Sequence, residues 1–192
     1  MVRAGEPFRL AIKADDKWGN PSNSMDRTLR LESSQPIVGL PKTLRFAPGS
    51  FAAVAQDLRI EEPGDLTVRV LDEDQELART NPLRVVPKNA PLVHFWGDTH
   101  GQSNETLGTN TAREYFEFGR DKAFLDVMGH QGNDFQITGA FWRELNVLSA
   151  AFDKPGRFVC IPGYEWSANT AVGGDRNVHY RHEGETIHRS SH

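Results

Sequence analysis

Hydrophobic and polar positions follow two different rules along this chain. Up to about residue 88 they alternate. Phe8, Leu10 and Ile12 fall on one face of a two-residue repeat, with Arg9 and Lys13 on the other. Residues 66–71 repeat the pattern, and 28–31 and 51–60 carry weaker versions of it. Turn-forming stretches separate these runs: Trp18-Gly19-Asn20-Pro21, Ala47-Pro48-Gly49-Ser50, Glu62-Pro63-Gly64-Asp65 and Asn81-Pro82. Short alternating strands at this spacing predict an antiparallel β-sandwich over residues 1–88, immunoglobulin-like in outline. Pro87-Lys88-Asn89-Ala90-Pro91 breaks both strand and helix and reads as a linker.

From residue 91 onward the apolar residues come in short unbroken runs, and each run ends on a polar group. Leu92–Trp96 leads to Asp98 and His100, Phe124–Met128 to His130, and Phe158–Ile161 to Glu165. Such runs predict buried strands. Two helices are expected between them. One covers Ala112–Asp121, opened by a Thr111/Glu114 capping box. The other covers Thr138–Phe152, with Phe141, Leu145, Leu148 and Phe152 on one face and Lys154-Pro155-Gly156 as its stop. Strand, polar residue and helix in repetition predict a parallel β/α layout over 91–192, with functional groups at the carboxyl ends of the strands. The chain as a whole is expected to be a two-domain α+β protein.

Asp98 and His100 stand two apart, so an extended backbone points both to one side. Carboxylate with imidazole suits Zn, Mn or Fe better than Ca, which prefers oxygen alone. His130 and Glu165 add a second imidazole and a second carboxylate. Asp126 lies in an apolar run and needs a partner there, and Asp134 follows the second cluster. The segment from Gly173 to Tyr180 offers Asp175, Asn177 and His179. Taken singly, each has an ordinary role. An Asp-x-His pair caps or packs, His130 bonds to backbone, Glu165 pairs with Arg157 or Arg176, and Trp96, Trp142 and Trp166 fill core or rim. His182, His188 and His192 belong to a solvated or disordered tail, and residues 72–76 to a solvated hairpin tip. The placement of three candidates at three successive strand ends argues for a joint site.

Composition narrows the partners. A formal charge of −4 and a pI near 6.0 favour neither nucleic acid nor an anionic membrane surface. No apolar run approaches the ~20 residues of a spanning helix, and Met1–Glu6 lacks the apolar core of a secretion signal. A single cysteine, Cys160, excludes an internal disulfide and reads as a buried thiol. A cytoplasmic setting is the compartment these features favour.

Gly97-Asp98-Thr99-His100-Gly101-Gln102 resembles the first motif of the PHP (polymerase and histidinol phosphatase) superfamily, Asp-x-His-x-His. Pro162-Gly163-Tyr164-Glu165-Trp166-Ser167 resembles its Gly-x-Glu motif. The run from Phe95 to Tyr180 is similar to an uncharacterised branch in which a β-sandwich precedes the barrel. The resemblance implies a distorted, TIM-like β/α barrel, incomplete here, that holds up to three divalent metal ions (Zn, Mn or Fe) and hydrolyses a small-molecule phosphoester. It implies Asp98, His100, His130, Glu165 and His179 as metal ligands, with Asp175 and Asn177 as alternatives to His179. Glu165 and His130 become the catalytic pair, and Gln102 and Arg176 become substrate contacts. Gln102 stands where the motif has a second histidine, and the later Asp-x-His motif is absent. About three β/α units are present where a closed barrel takes ~250 residues, so a fragment, inactive or weakly metal-binding, is expected. The alternatives are a non-catalytic binding module with a degenerate barrel, and a metal-dependent amidohydrolase.

Overall fold

In the computed structural model, which describes residues 1–168 and 174–190, the chain divides into two units, Met1–His94 and Phe95–His192. The division lies a few residues beyond the expected linker, for a local reason. The Arg3 guanidinium donates through Nε to the Ala90 carbonyl at 2.9 Å, which ties the proline-bounded stretch to the first unit.

The first unit is made of nine short strands: β1 (Val2–Arg3), β2 (Phe8–Lys13), β3 (Thr28–Ser33), β4 (Thr43–Arg45), β5 (Ala52–Leu58), β6 (Gly64–Leu66), β7 (Val68–Asp72), β8 (Gln75–Arg79) and β9 (Leu83–Val86). They form three hydrogen-bonded groups, β4-β3-β7-β8, β2-β5 and β1-β9-β6. The immunoglobulin-like outline of two antiparallel sheets is corrected accordingly, since there is a third group and β1 runs parallel to β9. Leu29, Leu31, Phe46, Ile60, Leu66, Val68, Val70 and Val85 fill one core. On the outer face of β3, β7 and β8, arginines alternate with glutamates. Glu76 takes Arg79 and Arg69, and these hold its carboxyl at about 2. Asp72 and Asp74 are likewise engaged, by Arg27 and Arg30.

The second unit contains β10 (Gly97–Gly101), α1 (Ala112–Glu117), β11 (Val127–His130), α2 (Gly139–Phe152), β12 (Val159–Cys160), β13 (Gly163–Ser167) and β14 (Asp175–His179). A π-helical turn, Phe118–Lys122, extends α1. Strands β10, β11 and β12 pair in parallel. After β12 the layout changes: β13 and β14 form an antiparallel hairpin, where a further β/α unit would have continued the parallel sheet. The TIM-like β/α barrel is therefore corrected. Strand outweighs helix, 37% against 14%, there are two α-helices among the described residues, and no barrel closes.

The helices begin where the caps place them. Thr111 and Glu114 form the reciprocal capping box of α1, and Thr138 Oγ1 accepts the Phe141 N–H at 3.1 Å to open α2. Phe116, Met128, Phe141, Leu145, Leu148, Phe152 and Phe158 form the core under them. The first two parallel strands are displaced from their apolar runs, whereas β12 lies inside the third. Leu92, Phe95 and Trp96 are exposed, and β10 starts only at Gly97. Pairing begins there because the Asp126 carboxylate accepts the Trp96 N–H at 2.9 Å while the Trp96 carbonyl accepts the Asp126 N–H at 2.7 Å. A Cβ at position 97 would lie 2.1 Å from Val127 Cγ1, so the contact needs glycine. Phe124 has φ +56°, which keeps it out of β11.

Hydrogen bonds tie the backbone of the tail to the second unit. Trp142 Nε1 donates to the Glu185 carbonyl at 2.8 Å, the His188 N–H to Tyr164 Oη at 3.0 Å, and the Ser190 N–H to Asp134 Oδ2 at 2.5 Å. The side chains of His182 and His188 remain exposed. Gly173 and His192 lie outside the described residues. No described helix is long and apolar enough to cross a membrane.

Candidate functional site

The site is built where β10 and the β13–β14 hairpin meet. In the hairpin, Glu165 pairs with Asn177, flanked by Gly163 opposite His179 and Ser167 opposite Asp175. Alternation puts Glu165 and Asn177 on one face and Trp166 and Arg176 on the other. His100 reaches the first face from β10. Its Nδ1 lies 2.9 Å from Asn177 Oδ1 and its Nε2 lies 3.7 Å from Glu165 Oε1. An amide oxygen only accepts, so Nδ1 carries a proton and donates it to Asn177, while Nε2 faces the carboxylate. Glu165 is nearly buried while the His100 side chain is half exposed.

Amides hold the other carboxylate oxygen. Asn133 Nδ2 donates to Glu165 Oε2 at 2.8 Å and to Ser167 Oγ at 2.8 Å. Gln102 Nε2 donates to Asn133 Oδ1 at 3.2 Å and to Glu165 Oε2 at 3.4 Å, and Gln102 Oε1 accepts the Leu107 N–H at 3.3 Å. Asn133 is carried past the end of β11 by an isolated parallel bridge to Glu165. The same loop leads to Asp134, a fully buried carboxylate that accepts the Ser167 N–H at 2.9 Å.

Asp98 and His100 do not share a side. The β10–β11 register slips by one residue between Asp98 and Gly101, and such a bulge re-aims side chains. Asp98 Oδ1 accepts the His100 N–H at 3.0 Å and its carboxylate also faces Tyr115, whose phenol is pushed up first by burial and then by that charge. His130 stands apart as well. It is 2% exposed, between the rings of Tyr115 and Phe141. Its Nδ1 accepts the Gly132 N–H at 3.2 Å, so Nε2 carries the proton and donates to Ser103 Oγ at 2.8 Å. Burial pushes its pKa down to about 4. The neutral ring is a staple for the loop after β10, where the Ser103 carbonyl also accepts the Gly108 N–H at 2.7 Å. His179 Nδ1 lies 3.3 Å from the Gln131 amide. Arg176 lies over the Trp166 ring on the far face of the hairpin.

Of the expected residues, then, the structure brings together His100, Gln102 and Glu165, with Asn177 from the group left open between Asp175 and His179. Asn133 and Ser167 were not singled out in the sequence. The one available signal for Asn133 was its place in the polar stretch just past a strand end. Among the described residues no set of three or more His, Cys, Asp or Glu side chains is grouped to cage a metal. The His100–Glu165 pair does fit two ligand positions. Bonds of ~2.1 Å from nitrogen and oxygen to a divalent ion span up to ~4.2 Å, more than the 3.7 Å between the two atoms.

No family model matches the sequence, and no solved structure matches it. The chain is similar to an uncharacterized protein of Chlamydia pneumoniae, 24% identical over 191 residues that make up 96% of this chain and 30% of that protein. It thus spans less than a third of that relative's length.

Proposed function

We propose that this chain contributes the His100–Glu165 pair to a divalent-metal-dependent hydrolase acting on a small-molecule phosphoester. The observation that carries the reading is His100 Nε2 facing the Glu165 carboxylate at 3.7 Å. A ring nitrogen and a carboxylate oxygen at that separation can share one divalent ion. The resemblance of residues 97–102 and 162–167 to the PHP motifs supports the same reading. His100 and Glu165 would hold the ion, and the ion would supply Lewis acidity and lower the pKa of a water toward ~7. The remaining positions are left to water, substrate oxygens or ligands from another segment. Asn177 fixes the imidazole tautomer through Nδ1, and such partners orient a ligand and raise its basicity. Asn133 and Gln102 anchor the carboxylate. The half-exposed His100 leaves one side of the pair open to substrate.

The test is turnover by the native full-length protein that carries this chain, with Mn²⁺, on bis(p-nitrophenyl) phosphate, p-nitrophenyl phosphate and a p-nitroanilide. Phosphoester cleavage that is abolished by chelation and falls at least ~100-fold in His100→Ala and Glu165→Gln is expected, with the residual measured against the two-ligand loss. Cleavage of the anilide alone would assign an amidohydrolase. Absence of any metal-dependent turnover would leave a binding module and overturn the proposal.

A further inference from the structure

The two oxygens of Glu165 have different surroundings. Oε1 is turned toward His100 Nε2, 3.7 Å away. Oε2 receives two amide N–H donors, from Asn133 at 2.8 Å and from Gln102 at 3.4 Å. A carboxylate oxygen offers about two lone-pair sites, so these two donors occupy Oε2. They also place the positive ends of N–H dipoles where a second cation would have to approach. The other imidazole on the adjacent strand end offers nothing in compensation, because both nitrogens of His130 are committed to Ser103 and Gly132. The donors cannot simply turn round. Gln102 Oε1 is held by the Leu107 N–H, and Asn133 Oδ1 by Gln102 itself, so reversing one amide sets acceptor against acceptor along the chain of bonds.

We infer that the site takes a single divalent cation, on the Oε1 side of Glu165, and that the Gln102 and Asn133 amides close the bridging position on Oε2. The inference rests on the reading of His100 and Glu165 as cation ligands. It adds that the carboxylate is a terminal ligand, and that the number of ions is set by two neutral side chains. Gln102→Glu keeps the length of the side chain but replaces the donor by a carboxylate beside Oε2. That change opens Oε2 and supplies a second acceptor, so it creates a second cation position. Asn133→Asp makes the equivalent change from the neighbouring amide, so loss of fold in one variant leaves the other to decide.

The experiment counts Mn²⁺ bound to the native full-length protein that carries this chain by loss of the free-ion EPR signal, with near-UV circular dichroism to confirm folding. Only binding lost in Glu165→Gln is counted. One ion per wild-type chain and two in Gln102→Glu or Asn133→Asp is the expected result. Two ions in the wild type, both lost in Glu165→Gln, would overturn the single-ion inference and leave the hydrolase reading standing. One ion in the wild type and still one in both folded variants would overturn the role given to the amides. No Glu165-dependent ion in the wild type would overturn the hydrolase reading together with the inference.

Discussion

His130 gives the sharpest test of how the second unit is held together. Its ring is buried between Tyr115 and Phe141 and bonded at both nitrogens in the neutral form. Protonation would put a second N–H at Nδ1, against the Gly132 N–H. The folded chain therefore resists a proton that the unfolded chain accepts near pH 6.5, and burial delays uptake to about pH 4. The His130 contribution to stability is fully present above pH 6.5 and is lost as pH falls to about 4. At ~1.36 kcal/mol per decade of proton affinity, the fall from 6.5 to about 4 amounts to about 3 kcal/mol. That is a large part of the ~5–15 kcal/mol by which a domain is stable.

The assay is urea unfolding of the wild type and His130→Gln at intervals from pH 8 to pH 4, followed by fluorescence. Trp142 is buried in the core of this unit and reports its unfolding, whereas Trp18 and Trp96 are already exposed. The wild type is expected to lose about 3 kcal/mol more than the variant across this range, because glutamine does not titrate. Carboxyls held low by arginines, such as Glu76, contribute stability that is lost only as pH falls below 4.5, outside most of this window. Parallel loss in the two proteins would refute the assignment of His130 as a neutral buried staple.

Three further outcomes are expected. Gly97→Ala puts a Cβ 2.1 Å from Val127 Cγ1 and 2.7 Å from the Val127 carbonyl, and should destabilise the second unit by about 1–3 kcal/mol; an unchanged urea midpoint would show that β10 is not held this close. Thr111→Ala removes the acceptor for the Glu114 N–H, 3.2 Å away, and should cost about 1 kcal/mol in the same titration. Cys160 is buried and its thiol is pushed up to about 12, first by burial, so DTNB at pH 8 should find no thiol in the native chain and one after denaturation.

What could be read from the sequence depended on whether the signal was local. The α2 helix was legible because Phe141, Leu145, Leu148 and Phe152 repeat within one element, and Thr138 and Thr111 announce their helices through bonds made three residues away. The third apolar run contains its strand, Val159–Cys160, but β10 and β11 start later than their runs, because apolar density alone does not mark where pairing begins. What starts β10 is close backbone approach: Gly97 against Val127, with Asp126 bonded to Trp96. A count of apolar residues does not register that contact. It also left Leu92, Phe95 and Trp96 as expected core, although all three are exposed. The barrel failed at the same level. The antiparallel arrangement of β13 and β14 rests on pairing between residues 163–167 and 175–179, and nothing in a single strand's pattern fixes its partner or register.

The site shows the same division, with one difference in kind. His100 and Glu165 were legible as chemistry, since an imidazole and a carboxylate each follow the end of a short apolar run. Their companions were harder to find because of two geometric facts. One extra residue in β10 separates Asp98 from His100 and cancels the rule that residues two apart share a side. The hairpin register, not residue type, selects Asn177 over Asp175 and His179. A search for ligands passes over amides, yet here amides decide which lone pair of each ligand is available. Asn177 accepts the imidazole N–H at Nδ1 and so leaves Nε2 turned toward Glu165, and Asn133 with Gln102 fills Oε2 and so leaves Oε1 as the oxygen turned toward His100. The charged residues supply the affinity for a cation, and the neutral ones determine where on those residues it can bind.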